Sequence, residues 1–415
     1  MWLPLYAEQV WHSTMTLSTI PTSHAYGDPF APGLLRRLPM PPRKVALLRA
    51  SRIGDFLCAV PAFRALRAAL PAAEIAVITL PLLRGLALRS PYLDRVIAFP
   101  GFPGIAEQFF DARRCLSFFE EMQAERFDLA IQMQGSGVHS NPFTLLLGAH
   151  ATAGFIRPGE GPGRLDAALP YPEGGHEVAR PLALVEFLGA PTRGTATEFP
   201  LWPADHAAAE TLLCDASPPL IGLHPSARDA ARRWPPEHFA ATGAALLRRH
   251  GGTLVLLGDA EAHATASALH AALPADLAGR CRDLSGTTTL PALGAVIARL
   301  AVLVTNDSGP AHIAYALGAP TVTIFGGSDP EAYGPPHAGP FRVVLRDVPC
   351  RPAGSLPCAS CAYGHRCLTG VAVADVLAAA EEVIGAHGTY DGPSPGTPLD
   401  LANPRTEGAC HAPAR

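Results

Sequence analysis

The chain carries little charge and almost no lysine. Charged side chains make up 16% of its 415 residues, and Lys44 is the only lysine, so nearly all positive charge comes from arginine. The formal net charge of -4 provides no overall positive field that would hold a nucleic-acid backbone. Nucleic acid is therefore not expected as a partner. The planar fork of arginine suits phosphate and carboxylate groups instead.

The sequence also lacks a long uncharged apolar run. The nearest candidate, residues 291–304, is interrupted by Arg299 and falls short of the roughly 18 residues that a membrane-spanning helix needs. The first residues do not have the charged start and apolar block of a secretory signal, so we expect a cytoplasmic protein. Nine cysteines are too few, and odd in number, for a disulfide scaffold in a chain of this length.

Short apolar runs alternate with helical stretches along both halves of the chain. The runs cover residues 44–48, 75–79, 96–99 and 129–133 in the first half, and 220–223, 253–257, 302–305 and 321–325 in the second. Strands that alternate with helices indicate a parallel sheet. We therefore predict an α/β fold of two Rossmann-like, doubly wound parallel-sheet domains that face a central cleft.

Composition suggests where these domains begin and end. A stretch rich in Pro, Thr and Gly predicts a linker over residues 191–218. The first domain is then expected over 43–190 and the second over 219–386. Residues 1–42 and 387–415 show no sustained period, which predicts a disordered extension and a disordered tail.

The loop over residues 49–55 (RASRIGD) follows the first strand, where open α/β sheets bind ligands. Asp55 is a candidate general base that takes the proton of an acceptor hydroxyl, and Arg49 and Arg52 are candidates for holding an anionic acceptor. The alternative is that Asp55 only stabilises a helix start and that the arginines are solvated. Dinucleotide-dependent hydride transfer loses support, because Gly54 is the loop's only glycine and the Gly-x-Gly-x-x-Gly pattern is missing.

A second motif, residues 305–312 (TNDSGPAH), runs from a strand into a helix. Pro310 suits the first helical turn and Ser308 the cap before it. The free amides of Gly309, Ala311 and His312 could then bind a pyrophosphate. The alternatives are a purely structural helix start and a His312 that only packs.

A third motif, residues 224–235 (HPSARDAARRWP), places three arginines and a hydroxyl after the strand at 220–223. Arginine forks can stabilise the charge of a departing nucleotide diphosphate without a metal. The alternative is a solvated basic loop anchored by Trp234. Glu261 could accept hydrogen bonds from a ribose, although surface helix charge is the default interpretation.

Together these residues resemble the heptosyltransferases of glycosyltransferase family 9, GT-B enzymes that build the inner core of bacterial lipopolysaccharide. The resemblance spans about residues 44–385. Its motifs occur in the family's order: residues 52–55 (RIGD) with 60–61 (VP), 232–235 (RRWP), 284–286 (LSG), 306–312 (NDSGPAH) and 325–330 (FGGSDP).

The resemblance implies an inverting, metal-independent transfer without a cofactor, with Asp55 as the base and closure of two domains over the cleft. It implies that an ADP-heptose donor is bound by Ser226, Arg232, Glu261, Asp307, Ser308, Gly309 and His312. A lipid-linked or oligosaccharide acceptor is expected, with peripheral contact with the inner membrane as an option. Arg232 departs from the family, which commonly has lysine there, so charge is kept while reach and geometry change. A GT-B sugar-nucleotide epimerase and a non-catalytic sugar-nucleotide-binding protein are the alternatives.

A late cluster of cysteines has the spacing C-x7-C-x2-C-x5-C. It consists of Cys350, Cys358, Cys361 and Cys367, with His365 inside it. A single Cys-x-x-Cys pair with irregular partners is compatible with structural zinc. Reduced packing cysteines are the default interpretation, so zinc is not the favoured prediction.

Overall fold

The computed structural model describes residues 24–351, 358 and 361–387. Its first half forms a six-stranded sheet with the order β3-β2-β1-β4-β5-β6, in which all neighbours are parallel. The strands are β1 (Lys44–Leu48), β2 (Glu74–Thr79), β3 (Arg95–Ala98), β4 (Leu129–Gln132), β5 (Ala151–Ile156) and β6 (Ala167–Pro170). The helices are α1 (Leu34–Arg37), α2 (Ile53–Ala69), α3 (Arg84–Ala87), α4 (Ala112–Glu125), α5 (Ser140–Leu146), α6 (Ala179–Leu188) and α7 (Pro203–Leu212).

The second half forms another parallel six-stranded sheet, with the order β12-β11-β10-β7-β8-β9. Its strands are β7 (Leu220–His224), β8 (Thr253–Leu256), β9 (Cys281–Asp283), β10 (Val302–Asn306), β11 (Thr321–Phe325) and β12 (Phe341–Leu345). The helices are α8 (Pro236–His250), α9 (His263–Ala272), α10 (Ala275–Ala278), α11 (Leu290–Ile297), α12 (Gly309–Leu317), α13 (Pro330–Tyr333), α14 (Arg366–Thr369) and α15 (Val373–His387).

The central strands are apolar on both faces, as parallel strands covered by helices on both sides must be. Val45 and Leu48 of β1 and Val302 and Leu303 of β10, which point to opposite faces of their strands, have no exposed surface. The predicted α/β class with two parallel sheets is therefore confirmed. Four strands escaped the sequence analysis: β5, β6, β9 and β12.

Part of the predicted N-terminal extension is folded. Leu34 of α1 has no exposed surface, and the amide of Gly33 donates to the carbonyl of Phe187 at 2.7 Å. Residues 24–42 therefore depart from the prediction of disorder, because one apolar side chain anchors the segment beside α6. Residues 1–23 and those from 388 onward lie outside the described chain.

The two halves of the chain contact each other through α2 and α12, which pack together near their starts. A Cβ atom placed on Gly54 would lie 2.6 Å from Cδ2 of His312, and one placed on Gly309 would lie 3.2 Å from Cδ1 of Ile53. A side chain at position 54 would therefore require the His312 ring to shift, and one at position 309 would be in tight contact with Ile53. Among the helices of the described chain, none combines the length and apolarity that a membrane span requires.

Candidate active site

Asp55 lies in the first turn of α2, with 31% of its side chain exposed. Burial raises the pKa of this carboxyl to about 6, and the nearby charge of Arg49 opposes the rise. The acidic groups of Glu177 and Glu107 add to it. A carboxylate with this pKa is a stronger base than an ordinary aspartate and is still ionised at neutral pH.

The position of Arg49 differs from the one that the proposed acceptor-binding role requires. Its guanidinium is buried and donates to the carbonyl oxygen of Asp55 at 2.7 Å and to that of Met133 at 2.5 Å. It also donates to Oε1 of Glu177 at 3.0 Å. These partners occupy the guanidinium, so Arg49 is placed to stabilise the start of α2. Arg52 is exposed, and its Nε donates to Glu107 at 2.5 Å, so it remains accessible to an acceptor.

Glu177 was missed by the sequence analysis. Its carboxylate is buried between Arg49 and Arg180, and its own amide donates to the carbonyl of Ala332, beyond β11, at 2.9 Å. It stands in a glycine-rich loop before α6. The sequence therefore offered no strand end or motif to mark it, and only the folded arrangement reveals its place beneath Asp55.

Helix α12 begins as predicted, with Ser308 in the cap position and Pro310 in the first turn. The capping is not made by the side chain: the Ser308 hydroxyl donates to the carbonyl of Asn306 at 3.1 Å and lies 3.3 Å from Nδ1 of His224. The amide of Ala311 donates to the Ser308 carbonyl at 3.0 Å. That bond occupies one of the three amides predicted to bind phosphate.

Asp307 connects three segments of the second half. Its Oδ2 accepts the Ser328 hydroxyl at 2.5 Å and lies 3.4 Å from Nη1 of Arg232. Nε2 of His312 lies 4.0 Å from its Oδ1. Burial lowers the pKa of His312 to about 4, so this imidazole is neutral at pH 7 and can act as a hydrogen-bond donor or acceptor.

The basic loop that ends at Trp234 is fixed at both ends by Asn306. The side-chain oxygen of Asn306 accepts the Trp234 amide at 3.0 Å, and its nitrogen donates to the Pro225 carbonyl at 2.8 Å. Trp234 is fully buried and donates through Nε1 to the carbonyl of Val371 at 3.1 Å. Trp234 therefore anchors the loop, as the alternative interpretation of this motif expected, and Arg232 lies beside Asp307.

Several buried polar atoms at this site have no hydrogen-bond partner within the described residues. They are the hydroxyls of Ser51, Ser226 and Ser285 and Nε of Arg232. Leaving such groups unpaired costs free energy, so each of them is a candidate to bond a polar ligand. Ser226 and Arg232 are among the predicted donor-binding residues.

Glu261 stands apart from this group. It is exposed in a single 3-10 turn, Ala260–Ala262, after β8. The turn lies against Gly286, where an added Cβ would come within 3.0 Å of the Ala260 Cα. Its carboxylate is thus free to meet a ligand from the side of the Ser285–Gly286 turn, without contact with the other predicted donor residues.

The late cysteines gather at a different place. Cys350, Cys358, Cys361 and Cys367 line one small cavity together with His365, whose amide donates to Sγ of Cys361 at 3.1 Å. Over residues 24–351, 358 and 361–387, no group of three or more His, Cys, Asp or Glu side chains has the arrangement of a metal site. The structure thus adds no support for structural zinc.

Comparison with known proteins gives this geometry a family. The family model of "Glycosyltransferase family 9 (heptosyltransferase)" matches residues 115–360. The chain belongs to glycosyltransferase family 9. This family 9 enzyme is 30% identical over 315 residues to "Lipopolysaccharide heptosyltransferase 2" of Salmonella typhimurium. The aligned region covers 72% of this chain and 87% of that relative.

Solved structures share the fold of this family 9 enzyme. The structure of E. coli ADP-heptose LPS heptosyltransferase II aligns with a TM-score of 0.68 at 23% identity and covers 83% of this chain and 99% of that one. A glycosyltransferase family 9 structure from Veillonella parvula aligns with a TM-score of 0.70 at 19% identity, with coverages of 82% and 97%. The predicted GT-B architecture and glycosyltransferase class are thus confirmed, in preference to an epimerase or a non-catalytic binding protein.

Proposed function

We propose that this enzyme transfers heptose from ADP-heptose to an acceptor of the lipopolysaccharide-core type, with inversion and without a metal. The names of its relatives support the donor and the acceptor class. The observation that carries the mechanism is the position of Asp55. Its partly buried carboxyl has a pKa raised to about 6 and lies in the first turn of α2. The start of α12 lies directly opposite, and there the His312 ring packs against Gly54.

The transfer is a single displacement. The Asp55 carboxylate takes the proton of an acceptor hydroxyl while that oxygen attacks the anomeric carbon of the donor. The bond between this carbon and the diphosphate oxygen breaks on the opposite face, and ADP leaves with the electron pair. Attack and departure on opposite faces invert the anomeric centre.

The donor half supplies groups that suit a departing diphosphate. The α12 start offers amides and the positive end of a helix dipole, and Arg232 adds a fixed positive charge whose field reaches Asp55. The unpaired hydroxyl of Ser226 and the exposed Glu261 complete the proposed donor site with Asp307, Ser308, Gly309 and His312. Positive charge from arginine and the helix end can take the place of a metal in stabilising the leaving group. Arg52 is the proposed acceptor contact.

The test is an ADP-release assay with ADP-heptose and a heptose-deficient core acceptor, with and without EDTA. We expect product of inverted anomeric configuration by NMR and the same rate in EDTA. Asp55→Asn should lower kcat by roughly 10² to 10⁴ fold, the range for loss of a general base, with ADP affinity retained.

The matched control is Asp276→Asn, an exposed acid of α10, which should keep full activity. Retention of the anomeric configuration would refute inversion, and loss of activity in EDTA would refute metal independence. An Asp55→Asn variant as active as the parent would refute the base assignment.

A further inference from the structure

Three large apolar side chains are exposed at the start of α4 and just before it. Phe109 is 89% exposed, Phe110 40% and Leu116 66%. Arg113 and Arg114 lie among them and are also exposed. We call these five residues the α4 patch. Large exposed apolar side chains this close together along the chain are candidates for a binding surface.

The α4 patch stands on a well-packed base. Phe102, earlier in the same loop, packs edge-on against Phe119 and Phe143 with ring centroids 6.0 and 5.3 Å away. Gly101 has a φ of 88°, and an added Cβ there would lie 2.2 Å from the Phe109 carbonyl oxygen. The loop therefore folds back on itself in a conformation that favours glycine. This packing fixes the backbone of the loop that carries the two exposed phenylalanines.

The patch carries positive charge that the described chain leaves free. Neither Arg113 nor Arg114 forms an ion pair with another residue in the described ranges. Asp111, the acid next to them in the sequence, caps α4 by accepting the Arg114 amide at 2.8 Å. Glu120 and Glu121 follow about two helical turns later. Aromatic side chains beside free arginines match the interface of an anionic bilayer.

The same loop also reaches the mouth of the cleft. Oε2 of Glu107 accepts Nε of Arg52 at 2.5 Å and Nη1 of Arg228 at 3.1 Å. These arginines come from the Asp55 loop and from the basic loop of the second half. A surface that rests on the α4 patch would thus lie next to the opening through which an acceptor enters.

We propose that the α4 patch is a docking surface for an anionic phospholipid bilayer. The two phenylalanines and Leu116 enter the headgroup region, and the two arginines contact lipid phosphates. The enzyme thereby presents its cleft to an acceptor held in the bilayer. The lipid-linked acceptor belongs to the proposed function, but vesicle binding is measured without donor or acceptor, so the two proposals can fail separately.

The test is sedimentation of the full-length protein with vesicles of phosphatidylcholine, with and without about 30% phosphatidylglycerol. We expect binding that is clearly stronger on the anionic vesicles. Arg113→Gln with Arg114→Gln should lower that binding by roughly 10- to 30-fold, since each arginine near an anionic surface contributes about fivefold. Phe109→Ser with Phe110→Ser should lower it on both kinds of vesicle.

The controls are Arg248→Gln with Arg249→Gln, a consecutive exposed pair on α8, and Leu345→Ser, a partly exposed apolar residue of β12. Both should bind vesicles like the parent. Transfer to a delipidated oligosaccharide acceptor should be unchanged in the patch variants. Equal binding to neutral and anionic vesicles, no vesicle binding, or a patch-dependent dimer that ignores vesicles would overturn the proposal.

Discussion

Glu177→Gln tests whether a buried charge beneath the active site sets the strength of the base. The change removes one negative charge and keeps nearly the same shape. Oε1 of Glu177 lies 3.0 Å from Nη2 of Arg49, and the same nitrogen lies 4.0 Å from Oδ1 of Asp55. Two carboxylates thus share one guanidinium nitrogen, and the negative charge of Glu177 raises the pKa of Asp55.

The size of the effect follows from these distances. Because both contacts end on one nitrogen, the two oxygens are at most about 7 Å apart, where like charges repel by about 2 kcal/mol at an effective dielectric constant of 20. Solvent screens part of this, since 31% of the Asp55 side chain is exposed. We therefore expect Glu177→Gln to lower the pKa of Asp55 by about one unit.

The assay is kcat/KM against pH. Asp55 must be ionised to accept a proton, and with its pKa at about 6 the parent enzyme should lose activity as the pH falls through this value. In Glu177→Gln the acidic limb should move to about pH 5. The plateau should fall severalfold, because a weaker base accepts the proton less readily. The KM for the donor should hardly change.

The control is Glu160→Gln, an exposed glutamate of the same half, which should leave the profile unmoved. Melting curves establish that the variants are folded, and Glu177→Asp should restore part of the parent's acidic limb. A folded Glu177→Gln enzyme whose limb stays near pH 6 would show that Glu177 does not tune Asp55.

Three other changes separate binding from stability. Ser226→Ala should leave the melting temperature unchanged and weaken ADP binding by roughly 5- to 10-fold in calorimetry, because the hydroxyl has no hydrogen-bond partner among the residues that the structure describes. Asn306→Ala should lower the free energy of unfolding in urea by about 2 to 4 kcal/mol, because it leaves the buried Trp234 amide unpaired; an unchanged midpoint would contradict this. Hydrogen bonds from Arg95 and a lysine lower the pKa of Glu125 to about 2 from its usual 4.5, so its stabilisation is present above pH 4.5 and lost as the pH falls through 2. Glu125→Gln should therefore cost about 1 to 2 kcal/mol at pH 7, and this difference should narrow in urea titrations toward pH 3.

The sequence predicted the strands that bury continuous apolar runs and missed those that do not. Strands β1 and β11 were found with their observed bounds, because KVALL and TVTIF are almost wholly apolar or β-branched. Strand β9, with the sequence CRD, is three residues long and only partly buried. Strand β5 contains Gly154 and small residues. The apolar run on which such predictions depend is missing in β9 because this edge strand is short, and in β5 because threonine, glycine and alanine interrupt it.

The site was predictable where a motif carried it and hidden where the fold assembled it. Asp307, Arg232 and Ser226 could be proposed from the sequence because they follow strand ends in ordered motifs, and their roles stay predictions. Arg49 was taken for an acceptor contact, because nothing in its loop shows that a glutamate 128 positions later binds it. Such pairing across the chain depends on α6 packing against α2.

Glu177 contacts both halves of the chain. Its carboxylate is bound by Arg49 and Arg180 in the half that carries Asp55, while its amide donates to the Ala332 carbonyl at 2.9 Å. Ala332 belongs to the segment after β11 that also carries Ser328, the hydroxyl partner of Asp307. Because its ion pairs lie within the first half, the charge of Glu177 should act on Asp55 whether or not the Ala332 contact is made. The shift of the acidic limb in Glu177→Gln should therefore be the same with and without bound ADP.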